Sequence, residues 1–255
     1  MPSTRRLLAC LLAATITVAS PLLADDDSKQ DASKAGFKPL FNGKNLDGWV
    51  PINVDPDTFT VKDGMIHSTG EPTGVMRTEK MYENFILELE WRHLKPKGNA
   101  GVFIWGDGIL AENNSPFPRG TEVQILDGRE TENYTSHGDV FPIRGATFVP
   151  NRPHPNGWMR CLPSEKRCNP SPEWNHYRIK CYDGRVTLAV NGKVVSGGHD
   201  TIPCKGYICL EAERSPVDFR NIRIKVLPST NPTPEEIAVP APGEGESGGG
   251  GEGEK

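Results

Sequence analysis

A carboxylate and a carboxamide lie two residues apart in the segment TEVQILD, residues 121–127. The alternation of polar and apolar residues predicts a β-strand, so Glu122 and Gln124 should project from one face, about 7 Å apart. A carboxylate in that position could accept a proton from a bound molecule, and the amide could donate a hydrogen bond to a developing oxyanion. The competing interpretation is a glutamate that only faces solvent.

His137 follows this strand in the loop SHGDVFPIRG. An imidazole titrates near neutral pH, so His137 is a candidate acid partner for Glu122, although a loop histidine is more often simply solvated. If Glu122 converges with Asp127 or His137, these side chains could also bind a divalent cation. The sequence has no CxxC pair and no HExxH helix, so it does not predict a dedicated zinc site, and it establishes no cofactor.

Trp105 ends the predicted strand GVFIW, and Asp107 lies just beyond it. A flat aromatic ring flanked by polar groups can stack on a bound ligand, so Trp105 is the candidate stacking residue, with a place in the core as the alternative. Arg144 lies in a long loop, where its planar guanidinium could bind a hydroxyl or a carboxylate. The remaining candidates for substrate binding are Asp127 and three residues that share a strand face or alternatively form an exposed charge ladder, Glu88, Glu90 and Arg92.

Patterning with a period of two runs through the body of the chain, as in NFILELEWRH, residues 84–93. A phase slip between Phe219 and Ile222 predicts a β-bulge near Arg220-Asn221. With about a dozen strand candidates and no amphipathic helix, we expect an all-β sandwich of two antiparallel sheets. Tight hairpins are predicted where dipeptides that favour positive φ separate two strands, at Asp63-Gly64, Asp183-Gly184 and Asn191-Gly192.

The two ends of the chain differ from this body. Residues 1–24 place two arginines before an apolar run and close on Ala24, which is typical of a secretory signal peptide, and the run is too short and interrupted for a membrane span. Residues 25–36 are predicted to be a flexible linker, residues 37–228 one domain, and residues 229–255 a disordered acidic tail rich in Gly and Pro. The protein is therefore expected to be exported, to the periplasm or the cell exterior.

Composition and cysteine usage narrow the function classes. The chain is 36% hydrophobic and 24% charged, and it shows neither a basic nucleic-acid surface nor a polybasic patch, so we expect no nucleic-acid partner and no membrane partner after signal cleavage. Five cysteines follow the signal segment, an odd number that leaves at least one thiol unpaired or bonded to another chain. Cys161 and Cys168 bracket a short loop and are the expected disulfide.

Several segments in order resemble one known family: FKPLFNGKNLDGWV, YENFILELEWRH, GNAGVFIWG, TEVQILD, EWNHYRIKCYDGRVTLAVNGKVV and GYICLEAERSPVDFRNIRIKVLP. Their order and spacing over residues 37–228 resemble the 3-keto-disaccharide hydrolase family. The resemblance implies a concanavalin-A-like jelly roll that holds carbohydrate on its concave sheet, and activity on glycosides already oxidised to a ketone at the third sugar carbon. The stretch between Asp127 and Trp174 departs most from the family pattern, and we expect it to shape the rim of the cleft.

A ketone at that carbon acidifies the adjacent C–H and permits elimination of the leaving group, after which water can add back. In this interpretation Glu122 and His137 act as base and acid, while Gln124 binds the enolate or a hydroxyl. Two alternatives stay open: a conventional glycosidase that pairs Glu122 with Glu88, Glu90 or Asp127, and a non-catalytic carbohydrate-binding module. In each case the expected partner is an oligosaccharide or other glycoside.

Overall fold

The computed structural model describes residues 36–108, 115–127 and 137–237. The predicted signal segment and most of the predicted tail lie outside these ranges. The described residues form fifteen strands and one short helix: β1 (Lys38–Pro39), β2 (Trp49–Ile52), β3 (Phe59–Lys62), β4 (Met65–Ser68), β5 (Gly74–Thr78), β6 (Phe85–His93), β7 (Asn99–Gly106), β8 (Gly120–Leu126), β9 (Val140–Ile143), β10 (Thr147–Pro150), β11 (Asn175–Tyr182), β12 (Arg185–Val190), β13 (Lys193–Ile202), β14 (Tyr207–Ala212), β15 (Val217–Val226) and α1 (Pro234–Ile237).

These strands form two sheets in which every described pairing is antiparallel. Within the described residues the larger sheet has nine strands in the order β10-β13-β12-β11-β6-β15-β4-β3, with β1 also paired to β15. The smaller sheet has six strands in the order β2-β5-β14-β7-β8-β9. The structure thus confirms the predicted all-β sandwich of two antiparallel sheets.

Local turn chemistry also follows the sequence. Asp63, Asp183 and Asn191 adopt positive φ, and the glycine after each does the same, so the three predicted hairpins connect β3 to β4, β11 to β12 and β12 to β13. The register of β15 against β6 shifts between Arg220 and Arg223, and Asn221 has a φ of 53°. This irregularity is the predicted bulge, and it keeps apolar residues of β15 on the core side before and after it.

The hydrophobic core lies between the sheets and explains which face of each strand is buried. On β8 the side chains of Val123 and Ile125 join it, and on the opposite sheet Trp91 and Tyr177 are fully buried in the same cluster. Burial of a large apolar side chain of this kind contributes about 2–3 kcal/mol. Since side chains alternate along a strand, the residues between Val123 and Ile125 must project from the other face of the six-stranded sheet.

The chain stays in contact with the body beyond the predicted domain end at residue 228. Asn84 Nδ2 donates to the carbonyl of Pro228 at 2.8 Å, and the amide of Cys204 donates to the carbonyl of Glu236, in α1, at 2.9 Å. Composition alone does not predict these hydrogen bonds to the carbonyls of Pro228 and Glu236. No helix within the described residues is long and apolar enough to cross a bilayer.

The expected Cys161–Cys168 disulfide is wrong for this structure, in which Cys161, Cys168, Cys181, Cys204 and Cys209 are all free thiols. Cys161 is fully buried in the core, where it pairs as an isolated bridge with Val140, while Cys168 is only partly buried. Short sequence separation brings two cysteines near each other along the chain, but a disulfide also requires their Cβ vectors to converge.

Candidate active site

Glu122 and Gln124 project from the face of β8 that is turned away from the core, as the alternation predicts. Each nevertheless has only 7% of its surface exposed. Glu122 lies directly between Phe103 of β7 and Phe141 of β9 in the sheet register. The interpretation that Glu122 merely faces bulk solvent therefore fails.

Two loop residues cover the aromatic rings on either side of Glu122. Phe117 stacks on Phe103 with ring centroids 5.8 Å apart, and the guanidinium of Arg160 lies 3.8 Å above the ring centroid of Phe141. The carboxylate of Glu122 consequently lies in a trough between two capped rings. This arrangement removes water from Glu122 on both sides.

A second buried glutamate, Glu211 on β14, completes a carboxylate pair with Glu122. Leu210 pairs with Val102, so the next residues on β14 and β7, Glu211 and Gly101, come side by side. A Cβ placed on Gly101 would lie 2.8 Å from Glu122 Oε1 and 2.8 Å from Glu211 Oε2. The two carboxyl groups therefore face each other across the bare Cα of Gly101, with no side chain between them.

Burial makes ionisation of this pair unfavourable. Desolvation, reinforced by the negative charges of Glu213 and Asp139, raises the pKa of Glu122 to about 8, while the positive charge of Arg160 opposes the shift. Desolvation, with the nearby charges of Glu122 and Glu213, also raises the pKa of Glu211 well above its ordinary value. Two carboxyl groups this close share protons rather than ionising independently.

Arg160 supplies the positive charge beside Glu122 and is itself held by a buried ion pair. Its Nε donates to Asp139 Oδ2 at 2.8 Å, and both side chains are more than nine-tenths buried. The ring of Phe141 supports the flat face of the guanidinium. The position of Arg160 is thus fixed by packing and by charge, independently of any ligand.

A row of polar side chains leads from the carboxylate pair toward the solvent. Gln124 Nε2 donates to Asn99 Oδ1 at 3.2 Å, and Asn99 Nδ2 donates to Glu213. Asn99 and Glu213 are partly exposed, whereas Gln124 and Glu211 are buried. Within the described residues, Gln124 Oε1 and Glu211 Oε2 have no hydrogen-bond partner, although both atoms are inaccessible. Buried polar atoms without partners are costly and are often reserved for a ligand or water.

Glu211 was not among the residues selected from the sequence. It lies in the strand segment YICLEAE, where Glu211 and Glu213 alternate with apolar residues just as Glu122 and Gln124 do on β8. That alternation is the available signal, because an acidic residue at the centre of an apolar strand is rarely buried without a partner. Which strand lies beside β14 is a matter of topology, so the pairing with Glu122 could not be read from the sequence.

His137 lies away from Glu122, on the core side of the six-stranded sheet. Its ring packs on the indole of Trp91 at 4.8 Å, and its Nε2 is 3.9 Å from Asp127 Oδ1. Burial, together with the nearby His93 and Lys166, lowers the pKa of His137 to about 3. The structure does not bring His137 and Glu122 together, and the carboxyl group that lies beside Glu122 is that of Glu211.

The stacking role predicted for Trp105 is wrong in this structure. Trp105 has no exposed surface, its Nε1 donates to the carbonyl of Glu83 at 2.7 Å, and its ring packs edge-on against Phe85. The indole faces the core and cannot present a surface to a sugar. The backbone amide of Arg119 donates a hydrogen bond to Asp107 Oδ1 at 2.9 Å.

The charged residues of β6 belong to the other sheet and do not join the Glu122 site. Glu88 pairs with Arg223 and Arg178, Glu90 with Arg220, and Arg92 with Asp218, all on the outer face of the nine-stranded sheet. These pairs form the charge ladder of the alternative interpretation, although Glu88 and Asp218 are buried beneath their arginine partners rather than exposed. Arg144 lies exposed in the turn between β9 and β10 with a φ of 61°, and no described contact links it to Glu122.

The described residues contain no group of three or more His, Cys, Asp or Glu side chains arranged to hold a metal ion. The convergence that a divalent cation would need, Glu122 with Asp127 or His137, does not occur, since Asp127 and His137 approach each other on the core side. Of the paired carboxyl groups, Glu122 is the one influenced by the positive charge of Arg160.

Comparison with known proteins places this chain in a family. Residues 36–225 match the model of the 3-keto-alpha-glucoside-1,2-lyase-like domain, which is most of the chain. The chain belongs to this family. A curated relative, the 3-keto-disaccharide hydrolase of Bacteroides thetaiotaomicron, is 24% identical over 239 residues, covering 75% of this chain and 79% of the relative.

Solved structures of similar fold extend the comparison for this member of the 3-keto-disaccharide hydrolase family. A candidate glycosyl hydrolase from Parabacteroides distasonis superposes with a TM-score of 0.59 at 24% identity, covering 81% of this chain and 99% of that one. A Bacillus subtilis protein with a galectin-like fold superposes with a TM-score of 0.52 at 12% identity, covering 74% and 94%. At these identities the structures establish the lectin-like sandwich fold, in agreement with the predicted jelly-roll class.

Proposed function

We propose that this protein cleaves glycosides whose sugar carries a ketone at carbon 3, by elimination followed by hydration. The observation that carries the proposal is the pair of buried carboxyl groups of Glu122 and Glu211 on either side of Gly101. Family membership supports the substrate class, because the family model is that of a 3-keto-alpha-glucoside-1,2-lyase-like domain and a relative is described as a 3-keto-disaccharide hydrolase.

The chemistry needs one base and one acid close together. In a 3-keto-glycoside the hydrogen on carbon 2 is acidic, because its removal gives an enolate on the carbon 3 oxygen. The enolate expels the glycosidic oxygen from carbon 1, which leaves with a proton from the acid and gives an unsaturated ketosugar. Water then adds to carbon 1 and a proton returns to carbon 2, so the net reaction is hydrolysis. A carboxylate and a carboxylic acid that share protons can perform both halves.

The charges around the pair favour Glu122 as the base and Glu211 as the acid. Arg160 lowers the pKa of Glu122 against the effect of burial, whereas Glu211 is more deeply buried and has no cation among the influences on its pKa. Glu122 therefore loses its proton first. Glu211 keeps its proton and can donate it to the leaving oxygen.

The enolate oxygen also needs a stabilising group. Arg160 lies on the same face as Glu122 and brings a fixed positive charge, which is worth more in a desolvated site than in water. The amide of Gln124 is held by Asn99, with its Oε1 lacking a described partner and facing the same buried row. In this arrangement Arg160 stabilises the developing negative charge, and Gln124 accepts a hydrogen bond from a sugar hydroxyl.

Turnover is the direct test. The purified protein is incubated with 3-keto-trehalose, and the release of glucose and any unsaturated ketosugar is followed by chromatography. Glu122→Gln and Glu211→Gln preserve side-chain shape, and each should lower kcat at least about a hundredfold, in line with the usual worth of general acid–base catalysis. Glu165→Gln, on the exposed surface, is the control and should retain the wild-type rate.

The possible results distinguish a catalytic site from a non-catalytic binding site. A full rate in Glu122→Gln removes the carboxylate pair from the mechanism. Binding of the sugar by the wild-type protein without any product supports a non-catalytic binding module instead.

A conventional retaining glycosidase is the second candidate, because retaining enzymes hold their two carboxyl groups only about 5–5.5 Å apart. The meeting of Glu122 and Glu211 at Gly101 is compatible with that spacing. The two candidates differ in substrate, since a glycosidase cleaves the unoxidised glycoside and the elimination mechanism cannot. Equal rates on trehalose and 3-keto-trehalose would favour the glycosidase.

We also propose that the protein is exported, on the basis of residues 1–24 of the sequence. Amino-terminal sequencing of the protein expressed from its full gene tests this. A mature chain that begins near Asp25 supports export, and one that keeps Met1 contradicts it.

A further inference from the structure

The loop between β10 and β11 carries a tryptophan that the mechanism above does not use. Trp158 is partly exposed, and the ring of His154 stacks on it almost parallel, with centroids 4.8 Å apart and an interplanar angle of 7°. His154 is itself only 4% exposed. Among the described residues, His154 is the only aromatic ring that packs on the indole. One face of Trp158 is thus backed by a buried side chain.

The backbone around Trp158 is constrained by its own hydrogen bonds. The amide of Gly157 donates to the carbonyl of His154 at 2.9 Å, and the amide of Asn156 donates to His154 Nδ1 at 3.1 Å. Gly157 has a φ of 73°, which favours glycine at this turn. The stack is therefore built into a tight turn rather than formed by two freely rotating side chains.

The same loop connects Trp158 to the carboxylate site. The amide of Arg160 donates to the carbonyl of Trp158 at 2.8 Å, which closes a three-residue turn, and Cys161 is hydrogen-bonded in both directions to Val140 of β9. Two residues of chain span at most about 7 Å. Because Arg160 covers Phe141 beside Glu122, the turn that carries Trp158 adjoins the face of the sheet on which Glu122 lies.

We infer that Trp158, backed by His154, is the subsite for the sugar ring of the leaving group. This inference rests on the proposed function, because it assigns the second ring of the disaccharide that Glu122 and Glu211 cleave. A flat indole with one covered face suits the C–H face of a pyranose, and the polar loop edge suits its hydroxyls. The subsite lies in the stretch between Asp127 and Trp174 that the sequence predicts to shape the rim of the cleft, so it contributes to the choice of glycoside.

The kinetic test compares two substrates that differ only in the leaving group. With 3-keto-trehalose the leaving group is glucose, and with methyl 3-keto-glucoside it is methanol. Trp158→Ala should lower kcat/KM for 3-keto-trehalose about tenfold, the size expected for loss of one stacking contact, and leave the methyl substrate within about twofold. Trp158→Phe should restore most of the activity. Trp174→Phe is the matched control and should change neither rate. Trp174 is partly exposed, and the guanidinium groups of Arg92 and Arg220, on the other sheet, lie over its ring.

Three kinetic outcomes contradict the subsite. Equal losses on both substrates indicate a structural effect, and no loss on either shows that Trp158 does not touch the leaving group. A loss confined to an aryl 3-keto-glucoside shows that the platform takes planar aromatic groups instead of a sugar.

A binding measurement separates failure of the subsite from failure of the proposed function. If the wild-type protein turns over neither substrate, the proposed function fails, and titration with unoxidised trehalose still tests the platform. Binding at Trp158 should quench tryptophan fluorescence in the wild-type protein and in Trp174→Phe, but not in Trp158→Phe. Quenching that persists unchanged in Trp158→Phe overturns the inference.

Discussion

Glu122 on β8 and Glu211 on β14 approach each other only because the strand between them carries no side chain at Gly101. Each carboxylate oxygen lies 2.8 Å from the place that a Cβ on Gly101 would occupy. Real Cβ contacts are longer than this, so any other residue at this position must separate the pair. The glycine is therefore part of the site, although it contributes no functional group.

Gly101→Ala tests that relationship. The added methyl group should push the two carboxyl groups apart, which lowers kcat at least about tenfold, and overpacking should reduce the free energy of unfolding by about 1–3 kcal/mol. Steady-state kinetics and urea denaturation measure the two effects. Gly108→Ala is the control, because a Cβ on Gly108 would meet nothing within 4 Å. Wild-type kinetics in Gly101→Ala would contradict the paired-carboxylate site.

The pH dependence of activity follows from the burial of Glu122. Its pKa is raised to about 8, so at lower pH Glu122 is protonated and cannot act as a base. The rate constant kcat/KM should therefore rise with pH through about 8, rather than through the ordinary glutamate range near 4.5. Glu213→Gln removes a negative charge that raises this pKa and should move the rise to lower pH. An acid limb below pH 5 in the wild-type protein would show that another group is the base.

The buried His137 makes the free energy of unfolding depend on pH. The pKa of His137 is lowered to about 3 in the folded protein, whereas in the unfolded chain it is near 6.5, so the unfolded state binds the additional proton between these values. This contribution is fully present above about pH 6.5 and is progressively lost as the pH falls. Both ring nitrogens of His137 lack hydrogen-bond partners among the described residues.

His137→Phe should therefore reduce the loss of stability between pH 7 and pH 5, while the ring keeps its contact with Trp91. Urea unfolding at the two pH values measures the difference. The same replacement leaves kcat unchanged at pH 7 if His137 has no role in proton transfer. A large loss of kcat in a folded His137→Phe protein would restore the histidine to the mechanism.

The buried ion pair of Asp139 and Arg160 predicts a further effect on folding. Asp139→Ala removes the carboxylate that accepts the hydrogen bond of Arg160 Nε, and breaking a buried pair of this kind costs about 3–5 kcal/mol. Asp139→Asn keeps an acceptor of similar shape and should cost less. Glu165→Ala, which breaks the exposed pair with Lys193, is the comparison and should have little effect on the urea midpoint. Equal effects of the buried and exposed replacements would show that the Arg160 charge is not fixed by Asp139.

The hairpins and the bulge were predictable because their causes are local. Asp63 and Asn191 adopt positive φ with the glycine that follows them, and this conformation depends on the residue type and its neighbour. The apolar phase slip before Ile222 likewise reflects one extra residue in one strand. These features need no knowledge of distant partners.

Trp105 and Trp158 show where sequence reasoning reached its limit. The strand-end position of Trp105 suggested an exposed ring, but the indole turns inward, where its Nε1 donates to the carbonyl of Glu83. Trp158 lies in a segment with no strand pattern, so nothing in the sequence indicated that His154 would stack on it. Exposure of an aromatic ring depends on what packs around it, which is a property of the assembled fold.

The sequence by itself determined the alternation of β8, the all-β class and the projection of Glu122 and Gln124 from one face, because strand geometry fixes the face of every second residue. Only the tertiary structure decided that β14 lies on the far side of β7, that Glu211 meets Glu122 across Gly101, and that His137 turns to Trp91 instead. The order of strands in a sheet is set by contacts between residues that are distant in the chain, and these contacts leave no local pattern in the sequence.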